Sequence, residues 1–155
     1  MENNFMLHIL LIDDDEDDKE LFRAAFKEVA PESVVSTANS IDELLKNIDS
    51  LNSELPDIIF LDLSMPKMDG FECLDLIKSI NPLNNIPVFI YSTSVNPAHL
   101  ELTYEKGASR YFQKPNSFDG IKSLITRMLL MAPESYLPQT KWDDFLMKTS
   151  AMAEN

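Results

Sequence analysis

Short, almost wholly apolar runs alternate with helical patterns along this chain, and no other feature constrains the fold as strongly. The runs comprise residues 9–12, 33–38, 57–61, 86–91 and 109–112. The first, third and fourth are nearly continuous in apolar residues, which is typical of strands in a parallel sheet that helices cover on both faces. The runs therefore predict five parallel strands.

Helical patterns follow the runs. After the first run, the apolar positions of one helix face are Leu21, Phe22, Ala25, Phe26 and Val29. Ser40 is a suitable N-cap for the second helix. Asn96 and Pro97 supply a cap and a first-turn proline for the fourth helix, and Gly107 supplies its stop signal. The (βα)5 order predicts an α/β fold with a doubly wound, parallel, five-stranded sheet, flavodoxin-like in its strand order 2-1-3-4-5.

The charge of the chain bears on its partners. Its 155 residues include 26 acidic and 13 basic side chains, a formal net charge of −13. This charge repels nucleic acid and anionic membranes, so we expect neither as a partner. Cys73 is the single cysteine, which excludes an intramolecular disulfide. No apolar run approaches the roughly 18 residues of a membrane span, and we expect a cytoplasmic location.

A C-terminal extension follows the five βα units. We expect one domain at residues 1–132 and an extension at residues 133–155. Trp142, Phe145 and Leu146 lie three and four residues apart, which would place them on one face of a short amphipathic helix. Exposed apolar faces of this kind usually pack against another protein surface. The extension could fold back on its own domain or pack on a second subunit and help to build a homodimer, and we expect it to be ordered and to contribute to a self-association surface.

Polar side chains end four of the predicted strands. Asp13 and Asp14 follow the first strand, Asp62 the third, Ser92 the fourth and Lys114 the fifth. Ligands of open α/β sheets bind beyond the carboxyl ends of the strands, where the strand order reverses. With the predicted order, the first and third strands are neighbours, so these side chains should converge on one rim of the sheet.

Each residue type has a chemical role at that rim. Clustered carboxylates repel one another and favour a hard cation such as Mg²⁺. The carboxylate of Asp62 can attack phosphorus and form an aspartyl phosphate. Lys114 offers a positive charge, and Ser92 a hydroxyl donor, to a phosphoryl oxygen. The neighbouring acids Glu16, Asp17 and Asp18 are interpreted as helix-start residues that favour the helix dipole.

The sequence resembles the receiver domain of bacterial two-component response regulators, of the stand-alone chemotaxis-regulator type. The resemblance covers residues 7–130. The segments that carry it are residues 9–14, 56–66, 68–70, 86–92 and 107–115. Each segment is short, and their order and spacing together make the resemblance specific.

The resemblance implies an acceptor and a metal site. Asp62 matches the phosphoacceptor position. Asp13 and Asp14 match the acidic pair that holds Mg²⁺ directly or through water. Asp62 and the backbone carbonyl of Ser64 complete the implied ligand set. The cofactor implied for this chain is therefore Mg²⁺.

The resemblance also implies a switch. Lys114 matches the phosphate-binding lysine, and Ser92 matches the switch hydroxyl. Tyr111 matches an aromatic residue that moves between exposed and buried positions on activation. The bond between Lys114 and Pro115 is often cis in the family.

The implied function is a phosphorylation switch in a phosphorelay rather than an enzyme, with self-catalysed phosphoryl transfer and hydrolysis only. The donor would be a histidine kinase or a phosphotransfer protein, and the output a protein–protein contact. One alternative is a phosphatase of the haloacid-dehalogenase type, but that family places a second aspartate two residues after the first, where this chain has Ser64. The other alternative is a degenerate receiver that binds partners without accepting phosphate.

Overall fold

The sheet sets the positions of all the predicted site residues. The computed structural model describes residues 6–46, 55–64, 69–131 and 141–147. Within them, six parallel strands form one sheet in the order β2-β1-β3-β4-β5-β6. The strands are β1 (His8–Ile12), β2 (Val34–Ala38), β3 (Ile58–Leu61), β4 (Val88–Ser92), β5 (Arg110–Gln113) and β6 (Leu146–Met147). The α/β class and the order 2-1-3-4-5 are confirmed, whereas the count of five strands was one too few.

Helices flank the sheet, with bounds close to the predicted patterns. They are α1 (Glu16–Val29), α2 (Ile41–Lys46), α3 (Gly70–Ser79), α4 (Pro97–Glu105), α5 (Phe118–Leu130) and α6 (Trp142–Phe145). The predicted caps are present: the Ser40 Oγ accepts a hydrogen bond from the Glu43 N–H at 3.2 Å, and the Asn96 side chain accepts from Ala98 at 2.8 Å. Gly107 has φ +96°, which suits a residue without a Cβ at the end of α4.

Two hydrophobic clusters enclose the sheet. On one face, α1 and α5 cover an aromatic cluster that includes Phe22, Phe60 and Phe112. On the other face, α2, α3 and α4 cover aliphatic residues such as Ile59 and Leu74, joined by Phe145. All four residues of β3 are fully buried, as expected for a central strand covered on both faces.

The sixth strand comes from the C-terminal extension, where the predicted helix ends at Phe145 and Leu146 lies in the strand rather than on the helix face. β6 pairs in parallel with β5, with Leu146 opposite Tyr111. Phe145 is 1% exposed, and its ring centroid lies 5.1 Å from that of Tyr104 and 6.1 Å from that of Tyr111. Trp142 stacks on Phe145 and remains 48% exposed. A two-residue strand has no period to reveal it in the sequence, which explains why β6 was not predicted.

Candidate functional site

The central strands place two aspartates side by side. β1 and β3 are neighbours, with Ile12 opposite Leu61. The next residue on each strand is an aspartate: the Asp62 N–H donates to the Ile12 carbonyl and the Asp13 N–H to the Ala38 carbonyl, both at 3.0 Å. Asp13 is fully buried, and Asp62 is 3% exposed. Sheet hydrogen bonding therefore fixes the backbone of both acids at the rim.

The acidic cluster also includes the exposed Asp14. Carboxylate oxygens of Asp13, Asp14 and Asp62 all lie within 4.8 Å of one another. Three hard oxygen donors with one exposed member suit a divalent cation that keeps some water ligands. The Ser64 N–H donates to Asp62 Oδ1 at 3.1 Å, which holds the Ser64 backbone beside the cluster. The residues present therefore fit a metal ion of the magnesium type.

A glycine allows the next helix to approach this loop closely. A Cβ on Gly70, the first residue of α3, would lie 2.5 Å from the Cα of Leu63. Asp69 caps the same helix by accepting from the Phe71 N–H at 2.9 Å. The Asp69-Gly70 pair, first noted as part of the family resemblance, thus packs α3 directly against the residues that follow Asp62.

Burial and crowding act on Asp13. Desolvation raises the pKa of Asp13 from 3.8 to about 6. Hydrogen bonds from the Asp15 N–H and from Lys114 oppose the increase, whereas the charge of Asp62 adds to it. The cluster is therefore short of positive charge, which a cation would supply.

Lys114 contacts three carboxylates at once. Its Nζ lies 2.9 Å from Asp13 Oδ2, 2.7 Å from Asp18 Oδ2 and 3.5 Å from Asp62 Oδ2. The side chain is only 8% exposed, and its backbone N–H donates to the Ser92 carbonyl at 2.8 Å. Burial alone would lower the pKa of Lys114, but the hydrogen bonds to Asp18 and Asp13 and the charge of Asp62 outweigh burial, so its pKa is raised.

Asp18 is the site residue whose role the sequence did not reveal. It lies in the first turn of α1, as expected of a helix-start acid. Its carboxylate nevertheless makes the shortest of the three contacts with Lys114. The interpretation as a helix-start residue was therefore incomplete, because a contact across 96 positions leaves no local signal in the sequence.

Ser92 and Tyr111 are connected through Ser94. The Ser92 hydroxyl, 1% exposed, accepts from the Ser94 N–H at 3.3 Å. The Tyr111 hydroxyl donates to the Ser94 carbonyl at 2.5 Å, and the Tyr111 side chain is fully buried. The structure therefore has Tyr111 in the inward position.

The cis peptide bond of the described residues is Asn81–Pro82, so the expectation of a cis bond before Pro115 is wrong here.

Comparison with known proteins identifies the family. The family model of the response regulator receiver domain matches residues 9–126. The chain belongs to this family. Receivers are the phosphoacceptor switches of two-component systems rather than enzymes in the ordinary sense. The chain therefore contains a receiver domain over residues 9–126.

Individual relatives agree with this result. The response regulator protein GraR of Staphylococcus aureus is 33% identical over 109 residues, which are 70% of this chain and 45% of GraR. The Mn²⁺-bound response regulator Rcp1 is 26% identical with a TM-score of 0.70, over 81% of this chain and 96% of Rcp1. The phosphorylated cyanobacterial phytochrome response regulator RcpA is 29% identical with a TM-score of 0.71, over 83% of this chain and 97% of RcpA.

The curated relatives are longer than this chain. The chain spans less than half the length of the curated relatives it matches, since it covers 15% of the sensor histidine kinase CheAY of Helicobacter pylori and 45% of GraR. Within the described ranges, no helix combines the length and the apolar character that crossing a membrane requires.

Proposed function

We propose that Asp62 is the residue of this receiver that accepts the phosphoryl group. The observation that carries the proposal is the position of Asp62 at the end of β3, with the Lys114 ammonium 3.5 Å from its Oδ2 and the oxygens of Asp13 and Asp14 within 4.8 Å. A nucleophilic carboxylate, a fixed cation and a metal-binding acidic pair are the parts that phosphoryl transfer needs. The phosphorylated form of the similar regulator RcpA supports phosphorylation as the function of this domain.

Asp13, Asp14, Asp62 and the Ser64 carbonyl would hold Mg²⁺. The Mn²⁺-bound form of Rcp1 supports a divalent ion in this family. When bound, the ion supplies positive charge that offsets the negative charge of the phosphoryl donor. The carboxylates of Asp13, Asp14 and Asp62 would supply ligands, because their oxygens lie within 4.8 Å of one another.

The transfer step breaks one bond to phosphorus and forms another. A carboxylate oxygen of Asp62 attacks phosphorus, and the P–N bond of a phosphohistidine, or the P–O bond of an acyl phosphate, breaks with its electron pair leaving on the donor. Lys114 Nζ donates a hydrogen bond to a phosphoryl oxygen, and the Ser92 hydroxyl donates another. Hydrolysis by water later returns the carboxylate and releases inorganic phosphate. Catalysis by this chain is limited to these two steps.

The donor is a histidine kinase or a phosphotransfer protein in the cytoplasm, and the output is a phosphorylation-dependent protein contact. The output face comprises α4, β5 and α5, where Tyr111 is linked through Ser94 to Ser92. The net charge of −13 favours a protein partner with a basic surface over nucleic acid.

Labelling with a small donor tests the acceptor. Acetyl phosphate with Mg²⁺ should add one phosphoryl group, detected by intact-mass spectrometry. Asp62→Asn should abolish the added mass, because an amide cannot form the aspartyl phosphate. Asp57→Asn is the matched control, since Asp57 is an exposed carboxylate just before β3 and should leave labelling intact. Undiminished labelling of Asp62→Asn would contradict the assignment.

Self-association through the extension is the remaining part of the proposal. Trp142 offers a half-exposed ring beside the buried Phe145, and such a ring suits a contact with a second copy. Trp142→Ala should then shift the protein toward monomer in sedimentation experiments. Leu130→Ala removes another exposed apolar side chain, 79% exposed, and should leave the distribution unchanged. Equal sedimentation of both variants and the wild type would refute the role of Trp142 in self-association.

A further inference from the structure

We propose that Asp18 is a positioning residue that holds the Lys114 ammonium at the acceptor carboxylate. The inference rests on the proposed role of Asp62 and adds a residue that the metal cluster and the acceptor do not include. The observation that suggests it is the 2.7 Å contact between Lys114 Nζ and Asp18 Oδ2, which is shorter than the contacts of Lys114 with Asp13 and Asp62.

A chain of hydrogen bonds fixes the direction of Asp18. Asp13 Oδ1 accepts from the Asp15 N–H at 2.9 Å, and Asp15 Oδ1 accepts from the Asp18 N–H at 2.9 Å. Asp15 is the N-cap of α1, so the cap joins the end of β1 to the first helical turn. This turn presents the Asp18 carboxylate to Lys114, which follows β5 on the far side of the site. The geometry is therefore built into the strand–helix junction.

The three contacts of Lys114 differ in what happens to them during transfer. An ammonium has three N–H donors, and in this structure three carboxylates surround it. The contact with Asp62 is the longest, at 3.5 Å, so it is the one that a phosphoryl oxygen most easily replaces. Asp13 belongs to the cluster that would hold the cation. Asp18 lies outside that cluster, and it remains as the partner dedicated to Lys114.

Loss of the Asp18 charge and loss of its contact with Lys114 should change the phosphorylation rate in opposite directions. Removal of a negative charge near the acceptor reduces repulsion of an anionic donor, which would speed phosphorylation. Removal of the hydrogen-bond acceptor frees the flexible Lys114 side chain, and this would slow phosphorylation. Asp17 provides the matched control for charge alone, because it is an exposed acid in the same turn and is not among the three described carboxylates within 4.0 Å of the Lys114 ammonium.

The test measures the rate of Asp62 phosphorylation by acetyl phosphate at saturating Mg²⁺. Asp18→Ala should lower this rate about three- to tenfold, corresponding to about 0.7–1.4 kcal/mol. Asp18→Asn keeps an acceptor oxygen and should retain more of the rate than Asp18→Ala. Asp17→Ala should stay within about twofold of the wild type. The Mg²⁺ concentration for half-maximal rate should not change in the Asp18 variants, since Asp18 is not a ligand.

A double-mutant cycle identifies the route of the effect. If Asp18 acts through Lys114, Asp18→Ala should cause no further loss in a Lys114→Ala background. Losses that multiply, or a rate for Asp18→Ala equal to or above that of Asp17→Ala, would overturn the inference while Asp62 labelling of the wild type still upholds the proposed function. A wild type that takes up no phosphoryl group would instead refute the proposed function, and the inference with it.

Discussion

Two regions of this receiver bury polar or aromatic side chains for different reasons. The acceptor rim, formed by Asp13, Asp62 and Lys114, buries charges that must be paired because desolvation disfavours them. The tail edge, formed by Tyr104, Tyr111, Trp142 and Phe145, buries ring surface that favours folding by itself. This fold therefore keeps a region of buried, paired charges and a region of buried aromatic surface on adjacent parts of one sheet.

β5 belongs to both regions. Tyr111 lies in β5 and contacts Phe145 of the tail edge, whereas Lys114 follows the strand directly and contacts the rim acids. Substitutions at the tail edge should therefore change stability while phosphorylation persists, whereas substitutions at the rim should change metal binding, phosphorylation or the pH dependence of stability. Four predictions test this division, beginning with the largest expected effect.

Phe145→Ala should lower the free energy of unfolding by about 3 kcal/mol, since it deletes a buried ring among Tyr104 and Tyr111. Chemical denaturation measures the loss, and intact-mass labelling should show that Asp62 still accepts phosphate. Leu130→Ala, an exposed apolar truncation, should change stability by less than about 0.5 kcal/mol. Equal stability of the two variants would remove the distinction between the tail edge and an ordinary surface.

Asp14→Asn should weaken Mg²⁺ binding about tenfold to hundredfold, or about 1.4–2.7 kcal/mol. The reason is the loss of one of three carboxylates whose oxygens lie within 4.8 Å of one another. Calorimetric titration measures the affinity, and the Mg²⁺-dependent rise in melting temperature should diminish in parallel. Asp17→Asn controls for net charge. A wild type that melts at the same temperature with saturating Mg²⁺, and is labelled in the presence of a chelator, would exclude the metal site.

Asp13→Asn should stabilise the metal-free protein at pH 7 by about 1 kcal/mol. The folded pKa of Asp13 is raised from 3.8 to about 6 by burial. Its contribution to stability is therefore complete below about pH 4 and is lost as the pH rises through about 6. One pKa unit corresponds to about 1.4 kcal/mol, and loss of the ion pair with Lys114 offsets part of the gain.

The pH dependence distinguishes this cause from a general effect of the substitution. The stability difference between Asp13→Asn and the wild type should be large at pH 7 and should shrink toward pH 4, as followed by thermal melts in a chelating buffer. Asp57→Asn serves as the control with an exposed carboxylate. A difference that does not vary with pH would show that burial does not raise the pKa of Asp13.

Ser92→Ala should change stability by less than about 1 kcal/mol, because the hydrogen bond that the Ser92 hydroxyl accepts from the Ser94 N–H is 3.3 Å long. Phosphorylation should still occur, yet the amide chemical-shift changes around Tyr111 should be smaller than in the wild type. Thr93→Ala alters an exposed neighbouring residue and should retain the full response. Equal shift changes at Tyr111 in Ser92→Ala and the wild type would show that Ser92 does not connect the two regions.

The sequence was sufficient for features with a local signal. Strands buried on both faces have continuous apolar runs, which is why β1, β3 and β4 could be located. Asp13, Asp62, Ser92 and Lys114 could be placed at one rim because parallel strands all end there, and the structure brings them together. The ion pair between Asp18 and Lys114, and the pairing of β6 with β5, depend on contacts between distant residues. The sequence shows that Phe145 is apolar, but no residue near it in sequence indicates that it packs against Tyr111.

β6 has a consequence for the behaviour of this receiver in concentrated solution. An open edge strand presents unpaired backbone N–H and carbonyl groups that recruit strands from other molecules and start aggregates. β6 occupies the edge of β5 beside Tyr111 and Phe112, so the apolar part of that edge is already taken. The short strand therefore reduces aggregation through pairing of β5 with strands of other molecules. The five βα units alone would leave this edge of the sheet open.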